Sequence, residues 1–132
     1  MFTAKKVKTL VVLVLLSTIL TNFVKVSAAS YIEGYVGTVK VTGSSSIGAT
    51  NASAYTSASV YSPGIDVYVS SSYSAWDNLN DCLYTSTKSS SGKSSTSVFF
   101  APDHCTSISI YSYHSATDGT NSWSGYTSAT YP

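Results

Sequence analysis

The chain has 132 residues, of which only 10% are charged, and its formal net charge is +1. Four of its seven lysines precede residue 30, so residues 30–132 keep three lysines against six acids, a net charge of 3 − 6 = −3. This balance excludes nucleic-acid binding, which needs many phosphate-neutralising Lys and Arg side chains, and it disfavours attraction to anionic lipid. The length is enough for a single folded domain.

Residues 1–29 have the order of a secretory signal peptide: lysines first, then an apolar run, then small residues. The apolar run, Thr9 to Leu20, has 12 residues, whereas a helix needs roughly 20 to span a bilayer. We therefore expect cleavage after Ala28 or Ala29 rather than a retained anchor. The prediction is a secreted, extracellular protein whose residues 30–132 form one β-domain.

Alternating β-branched, aromatic and hydroxyl residues predict strands after the leader, and no window shows a helical apolar stripe. A loop is predicted at 43–48, and turns are predicted at Ser62-Pro63-Gly64 and Asp118-Gly119. The seven predicted strands are Tyr35–Thr42, Thr50–Tyr61, Ile65–Trp76, Leu83–Ser89, Ser97–Ala101, Ser107–Ser115 and Trp123–Tyr131.

Two of these strands show clear faces. The third places Ile65, Val67, Val69 and Tyr73 on one face and Asp66, Tyr68, Ser70, Ser72 and Trp76 on the other. The sixth places Ile108 and Ile110 inward and Tyr111 and Tyr113 outward. Short strands at roughly ten-residue spacing predict an all-β fold, either a small antiparallel β-sandwich with Ig-like or jelly-roll-like architecture or a small barrel.

Cys82 and Cys105 are the two cysteines of the chain. A hairpin folded about Gly92 to Ser95 would place them opposite each other, at a separation that suits a disulfide. In an oxidising compartment this pairing is favoured over a metal site built with His104. We therefore expect one disulfide, which would stabilise a thin core by about 3 kcal/mol in the chain-entropy model.

Other chemistry-bearing residues give weak signals. The segment from Asp77 to Asp81 has oxygen ligands that suit calcium, but it lacks the EF-hand spacing and an Asx-rich turn explains it equally well. His104 and His114, with Asp103, Asp118 and many serines, match no hydrolase motif. We therefore expect no enzymatic activity, no cofactor and no metal, with Asp77 and Asp81 as weak calcium candidates only.

Aromatic residues provide the one functional signal. Outward rings bordered by hydroxyls suit sugar rings, cell-wall polymers or a protein partner, although the same rings could instead form a second core layer. The candidate binding residues are Trp76, Trp123, Tyr68, Tyr111 and Tyr113.

The leading prediction is a secreted, non-enzymatic module that acts at a cell surface by binding a polysaccharide, another wall polymer or a surface protein. Two alternatives remain open. One is a secreted antimicrobial or toxin protein resembling a bacteriocin, and the other is a self-assembling extracellular structural subunit, because long polar edge strands favour self-association.

Overall fold

A computed structural model describes residues 28–132, and all the regular structure in this range is β. The predicted leader lies outside the described residues except for its last two. The strands are β1 (Ala28–Val36), β2 (Val39–Ile47), β3 (Ala52–Ala58), β4 (Asp66–Asp77), β5 (Cys82–Lys93), β6 (Ser95–Phe100), β7 (Cys105–Thr117) and β8 (Ser122–Thr130).

The eight strands form two four-stranded antiparallel sheets. The first sheet has the order β1-β2-β3-β6, and the second sheet has the order β5-β4-β7-β8. This arrangement confirms the predicted all-β class and is consistent with a β-sandwich, with eight strands in place of about seven. Within residues 28–132 there is no helix long and apolar enough to cross a membrane.

Most differences from the predicted strands lie near the start of the domain. The first predicted strand contains a hairpin turn, because Gly37 takes the left-handed φ of +61° that glycine tolerates best. The predicted loop at 43–48 is instead the second half of β2, with Ser45 and Ile47 fully buried.

The alternation predicted for the third strand is confirmed in β4, where the odd-numbered residues from Val67 to Ala75 are buried. The prediction for Ile108 is wrong. A β-bulge between β4 and β7 pairs Ser74 with Ser109 but Ala75 with Ser107, so Ile108 is an extra residue and is turned outward. Ile110, beyond the bulge, is buried as predicted.

Two apolar clusters form the core. The larger is built around Tyr73, Phe100, Ile47 and Ile110, and the smaller around Val36, Val41, Ile65 and Val67. Burying each of these large side chains contributes roughly 1.5–3 kcal/mol. Between the clusters the inward positions are polar: Ser45 occupies such a position on β2, and Ser112 and His114 do so on β7. The core is thus two apolar ends joined by a polar middle.

The disulfide prediction is wrong, because both cysteines are free. Cys82 and Cys105 each pair with Asp77, but from opposite sides of β4. Their Cα atoms are therefore two strand spacings apart, about 9–10 Å, whereas a disulfide needs Cα atoms about 4.4–6.8 Å apart. The assumed β5–β6 hairpin does not exist, because the chain crosses from the second sheet to the first at Ser94.

Candidate functional site

Four tyrosines form a continuous group on the outer face of the second sheet. Tyr68 projects from β4, Tyr111 and Tyr113 from β7, and Tyr126 from β8. We call these four residues the tyrosine cluster. They share this face because outward positions alternate with buried ones along each strand. The direct cross-strand pairing of Tyr113 with Tyr126 fixes its centre.

The rings of the cluster touch one another. The centroids of Tyr113 and Tyr126 are 5.2 Å apart, those of Tyr111 and Tyr126 are 5.6 Å apart, and those of Tyr68 and Tyr113 are 6.3 Å apart. All three separations lie in the range for favourable aromatic pairs. The exposed fractions of Tyr111 and Tyr126 are 55% and 58%. The result is a contiguous aromatic strip that remains open to solvent and runs across three strands.

Hydroxyl side chains surround this strip. On the same face, β4 carries Ser70 and Ser72, and β8 carries Ser124 and Ser128. Tyr113, at the centre of the strip, also lines a depression of about 410 Å³, a volume within the roughly 300–1,000 Å³ typical of small-ligand sites. Its lining residues are Tyr113, Ser115, Ala116, Thr117, Ser122, Trp123 and Ser124. The face therefore offers ring surfaces for stacking next to hydroxyls that donate and accept hydrogen bonds.

A buried hydrogen-bond network lies directly beneath the cluster. The imidazole of His114 contacts the hydroxyl of Thr56 through Nδ1 at 2.8 Å and that of Thr127 through Nε2 at 2.7 Å. Thr56 in turn donates to the carbonyl of Tyr68 at 2.9 Å. Because His114 and Thr127 neighbour Tyr113 and Tyr126 in sequence, the network fixes the backbone that presents these rings.

Every buried polar side chain of this network has a hydrogen-bond partner within the described residues. Ser45, Ser71 and Ser112 extend it toward the larger apolar cluster, and no buried side-chain nitrogen or oxygen in residues 28–132 lacks a partner. Burial lowers the pKa of His114 to about 4, so the imidazole is neutral at pH 7. His114 thus has a structural role beneath the face and is closed to solvent, so it is not available for proton transfer to a ligand.

The two tryptophans occupy different environments. Trp76 lies on the same outer face as the tyrosine cluster, near the far end of β4, and is 41% exposed. Trp123 is half-buried and packs against the smaller apolar cluster. Its indole fills the space beside Gly34, where an added Cβ would lie 2.0 Å from the ring. The structure therefore brings Tyr68, Tyr111 and Tyr113 together. Trp76 lies apart from them, whereas Trp123 is part of the core and also lines the depression beside Tyr113.

Tyr126 is the cluster residue that the sequence analysis missed. A two-residue turn at Asp118-Gly119 would pair Tyr113 with Ser124, whereas the observed four-residue turn pairs Tyr113 with Tyr126. Asp118 builds this longer turn by accepting backbone hydrogen bonds from Thr120 and Asn121. The sequence signal for this longer turn is Asp118 followed three residues later by Asn121, a spacing that favours an Asx turn.

The weak calcium candidates belong to a turn. The carboxylate of Asp77 accepts hydrogen bonds from the backbone of Leu79 and Asn80 and from the side-chain amide of Asn80. These bonds hold the pKa of Asp77 below its usual value. Asp81 has a left-handed φ of +54°. Within residues 28–132 no group of three or more His, Cys, Asp or Glu side chains is placed to hold a metal ion.

A second depression, of about 370 Å³, lies at the corner formed by Asp103, His104 and Cys105. His104 is exposed there, and Asn78 donates a hydrogen bond to its carbonyl. Burial raises the pKa of the Cys105 thiol, which keeps it protonated and unreactive. The corner therefore lacks an activated nucleophile.

The outer face of the first sheet carries aromatic residues of a different arrangement. Tyr31, Tyr35, Tyr55 and Phe99 are each at least 45% exposed. Tyr31 and Tyr55 pair with opposite sides of Ser44, which holds them two strands apart. These rings are dispersed, so they serve as matched controls for the tyrosine cluster.

No protein-family model matches the chain, and neither a curated protein nor a solved structure matches it.

Proposed function

We propose that residues 30–132 form a secreted, non-enzymatic module that binds an uncharged polysaccharide at a cell surface through the tyrosine cluster. The observation that carries the proposal is the contiguous contact of four tyrosine rings, three of them exposed to solvent, on a face that also carries many Ser and Thr hydroxyls. The apolar face of a sugar ring stacks on an aromatic ring, while its hydroxyls exchange hydrogen bonds with neighbouring Ser and Thr side chains.

The charges of the domain favour an uncharged ligand. All three lysines of residues 28–132 are already engaged: Lys40 pairs with Glu33, Lys93 pairs with Asp66, and Lys88 donates to the carbonyl of Phe99. Of these three lysines only Lys88 has no carboxylate partner, which leaves little positive charge to recognise phosphate or carboxylate groups on a polymer. The net charge of −3 on residues 30–132 further disfavours an anionic chain.

The shape of the face favours a polymer over a small compact ligand. The tyrosine cluster crosses three strands, and the centroids of its neighbouring rings lie 5.2 to 6.3 Å apart. The depression that Tyr113 lines extends from the centre of the cluster toward the β7–β8 turn. An extended chain can therefore contact several rings in succession and place its end among the hydroxyls of Ser115 and Ser124.

The test is co-sedimentation of purified residues 30–132 with washed cells and with insoluble, uncharged wall polysaccharides. We expect the wild-type domain to be retained and Tyr126→Ser to lose most of that retention, because Tyr126 contacts two other rings of the cluster. Tyr55→Ser is the matched control, since it removes an exposed tyrosine from the opposite face. Equal retention of the two variants would contradict the proposal.

The same assay separates the alternatives. Loss of viability in cells that retain the protein would favour the antimicrobial function instead. Sedimentation without any cells or polymer would favour self-assembly. A domain that stays in solution under every condition would rule out polymer binding by this face.

A further inference from the structure

We propose that Tyr126 is a site of oxidative cross-linking, at which a peroxidase using hydrogen peroxide couples its ring to Tyr111 or Tyr113 of the same molecule. The product is a dityrosine that joins β7 to β8. This inference is independent of polysaccharide binding, because it rests on the positions of the phenol rings and needs no ligand.

The geometry of the three rings favours coupling within the molecule. The ring of Tyr126 lies 5.2 Å from that of Tyr113 and 5.6 Å from that of Tyr111, centroid to centroid. At such separations the rings are in van der Waals contact, so small side-chain rotations bring their ortho carbons together. Holding two reactants in contact raises their effective concentration far above that of any second molecule in solution.

Accessibility distinguishes this group from the other tyrosines of the described residues. Tyr61 and Tyr31 are 84% and 69% exposed, but no tyrosine ring within residues 28–132 is stacked on either. The ring of Tyr73 does contact that of Tyr84, but Tyr73 is fully buried. Tyr126 combines two tyrosine neighbours with an exposed ring, which an oxidising enzyme or a small radical mediator can reach.

The chemistry balances with one peroxide per cross-link. Each of the two phenols loses one electron and one proton to give a phenoxyl radical. The two radicals form one carbon–carbon bond between their ortho positions, and the two ortho hydrogens move to the oxygens to restore the phenols. The two electrons and two protons released reduce hydrogen peroxide to two molecules of water.

The product would secure the edge strand β8 of the second sheet. β8 is the last strand of the second sheet and pairs only with β7 within that sheet. The two cysteines are free and do not form a covalent staple. A bond between Tyr126 and β7 would supply one, because β8 could then not detach from the sheet.

The test treats residues 30–132 with a haem peroxidase and hydrogen peroxide in a Cys82→Ser background, which removes the exposed thiol that would reduce phenoxyl radicals. Cleavage at Asp103 and Asp118 separates Tyr111 and Tyr113 from Tyr126. We expect monomeric protein with dityrosine fluorescence, and a joined peptide pair that has lost two hydrogen atoms. Fragmentation of this pair assigns the linked residues.

Phenylalanine variants provide the controls, since they keep the ring and remove the oxidisable phenol. Tyr126→Phe is expected to lower the yield of monomeric cross-link at least tenfold, whereas Tyr55→Phe is expected to leave it unchanged. Circular dichroism of each variant checks that the fold is retained. An unchanged yield in Tyr126→Phe would overturn the proposal, as would cross-links confined to dimers.

Discussion

Gly43 on β2 faces the imidazole of His114 on β7 across the sandwich, and a Cβ added to Gly43 would lie 2.4 Å from Cγ of His114. Non-bonded carbon atoms do not approach this closely, so the ring occupies space that exists only because residue 43 has no side chain. This relationship explains why β2 contains a glycine where a strand would ordinarily favour a larger residue. It also explains how His114 fits beneath the tyrosine cluster.

Replacing Gly43 with alanine is therefore expected to destabilise the domain by about 1–3 kcal/mol, the usual cost of overpacking a core. The measurement is the free energy of unfolding by urea denaturation. Gly64→Ala is the matched control, because nothing lies within 4 Å of its added Cβ. If the two variants had equal stability, the close packing of Gly43 against His114 would be refuted.

His114 gives the domain a defined dependence on pH. Burial lowers its pKa from 6.5 to about 4, so the unfolded state binds a proton more readily than the folded state does. The contribution of His114 to stability is therefore fully present above about pH 6.5 and is lost as the pH drops from about 6.5 to about 4. At about 1.4 kcal/mol per pKa unit the loss from this residue is at most about 3.5 kcal/mol.

Urea denaturation at intervals between pH 7.5 and pH 4 measures this slope. We expect His114→Asn to be less stable at pH 7 but to lose much less stability across the same interval. Hydrogen bonds lower the pKa values of Asp77 and Asp118 below 3.8. Their stabilising contributions are lost only below about pH 4, outside this window. A wild-type domain with no slope between pH 6.5 and 4 would show that His114 is not buried.

The free cysteines give a prediction for thiol chemistry. In the folded protein an aqueous thiol reagent is expected to modify Cys82, which is exposed, and to leave Cys105 unmodified because it is buried. Unfolding in denaturant should expose both thiols to the reagent. The melting temperature should also be the same with and without reductant. A denatured, non-reduced protein with no reactive thiol would contradict the observed strand order.

The sequence predicted the class of fold and the faces of β4 because alternation along that strand is uninterrupted. It failed at β2, where Gly43 and the serines after it are typical of a loop. Their burial depends on tertiary partners: Gly43 accommodates His114, and Ser45 donates to Ser112 at 2.7 Å. Such partners come from distant strands, and local propensity does not reveal them.

The candidate site was also predictable only in part, because alternation reveals the outward positions of a strand but not its partners across the sheet. Tyr68, Tyr111 and Tyr113 follow from alternation alone, since each occupies an outward position on a recognisable strand. Tyr126 depends on the length of the turn that precedes β8, and a shift of two residues there changes its partner. The disulfide prediction failed because it assumed a single hairpin symmetric about Gly92 to Ser95, whereas β5 and β6 belong to different sheets.

The most direct test of polysaccharide binding by the tyrosine cluster is calorimetric titration with soluble fragments of the uncharged polymer that retains the protein. Wild type and Tyr126→Ser are compared at low and high salt. We expect Tyr126→Ser to weaken binding about tenfold, equivalent to about 1.4 kcal/mol, and salt to have little effect because no ion pair is formed. An affinity that Tyr126→Ser leaves unchanged, or one that salt abolishes, would contradict binding by this face.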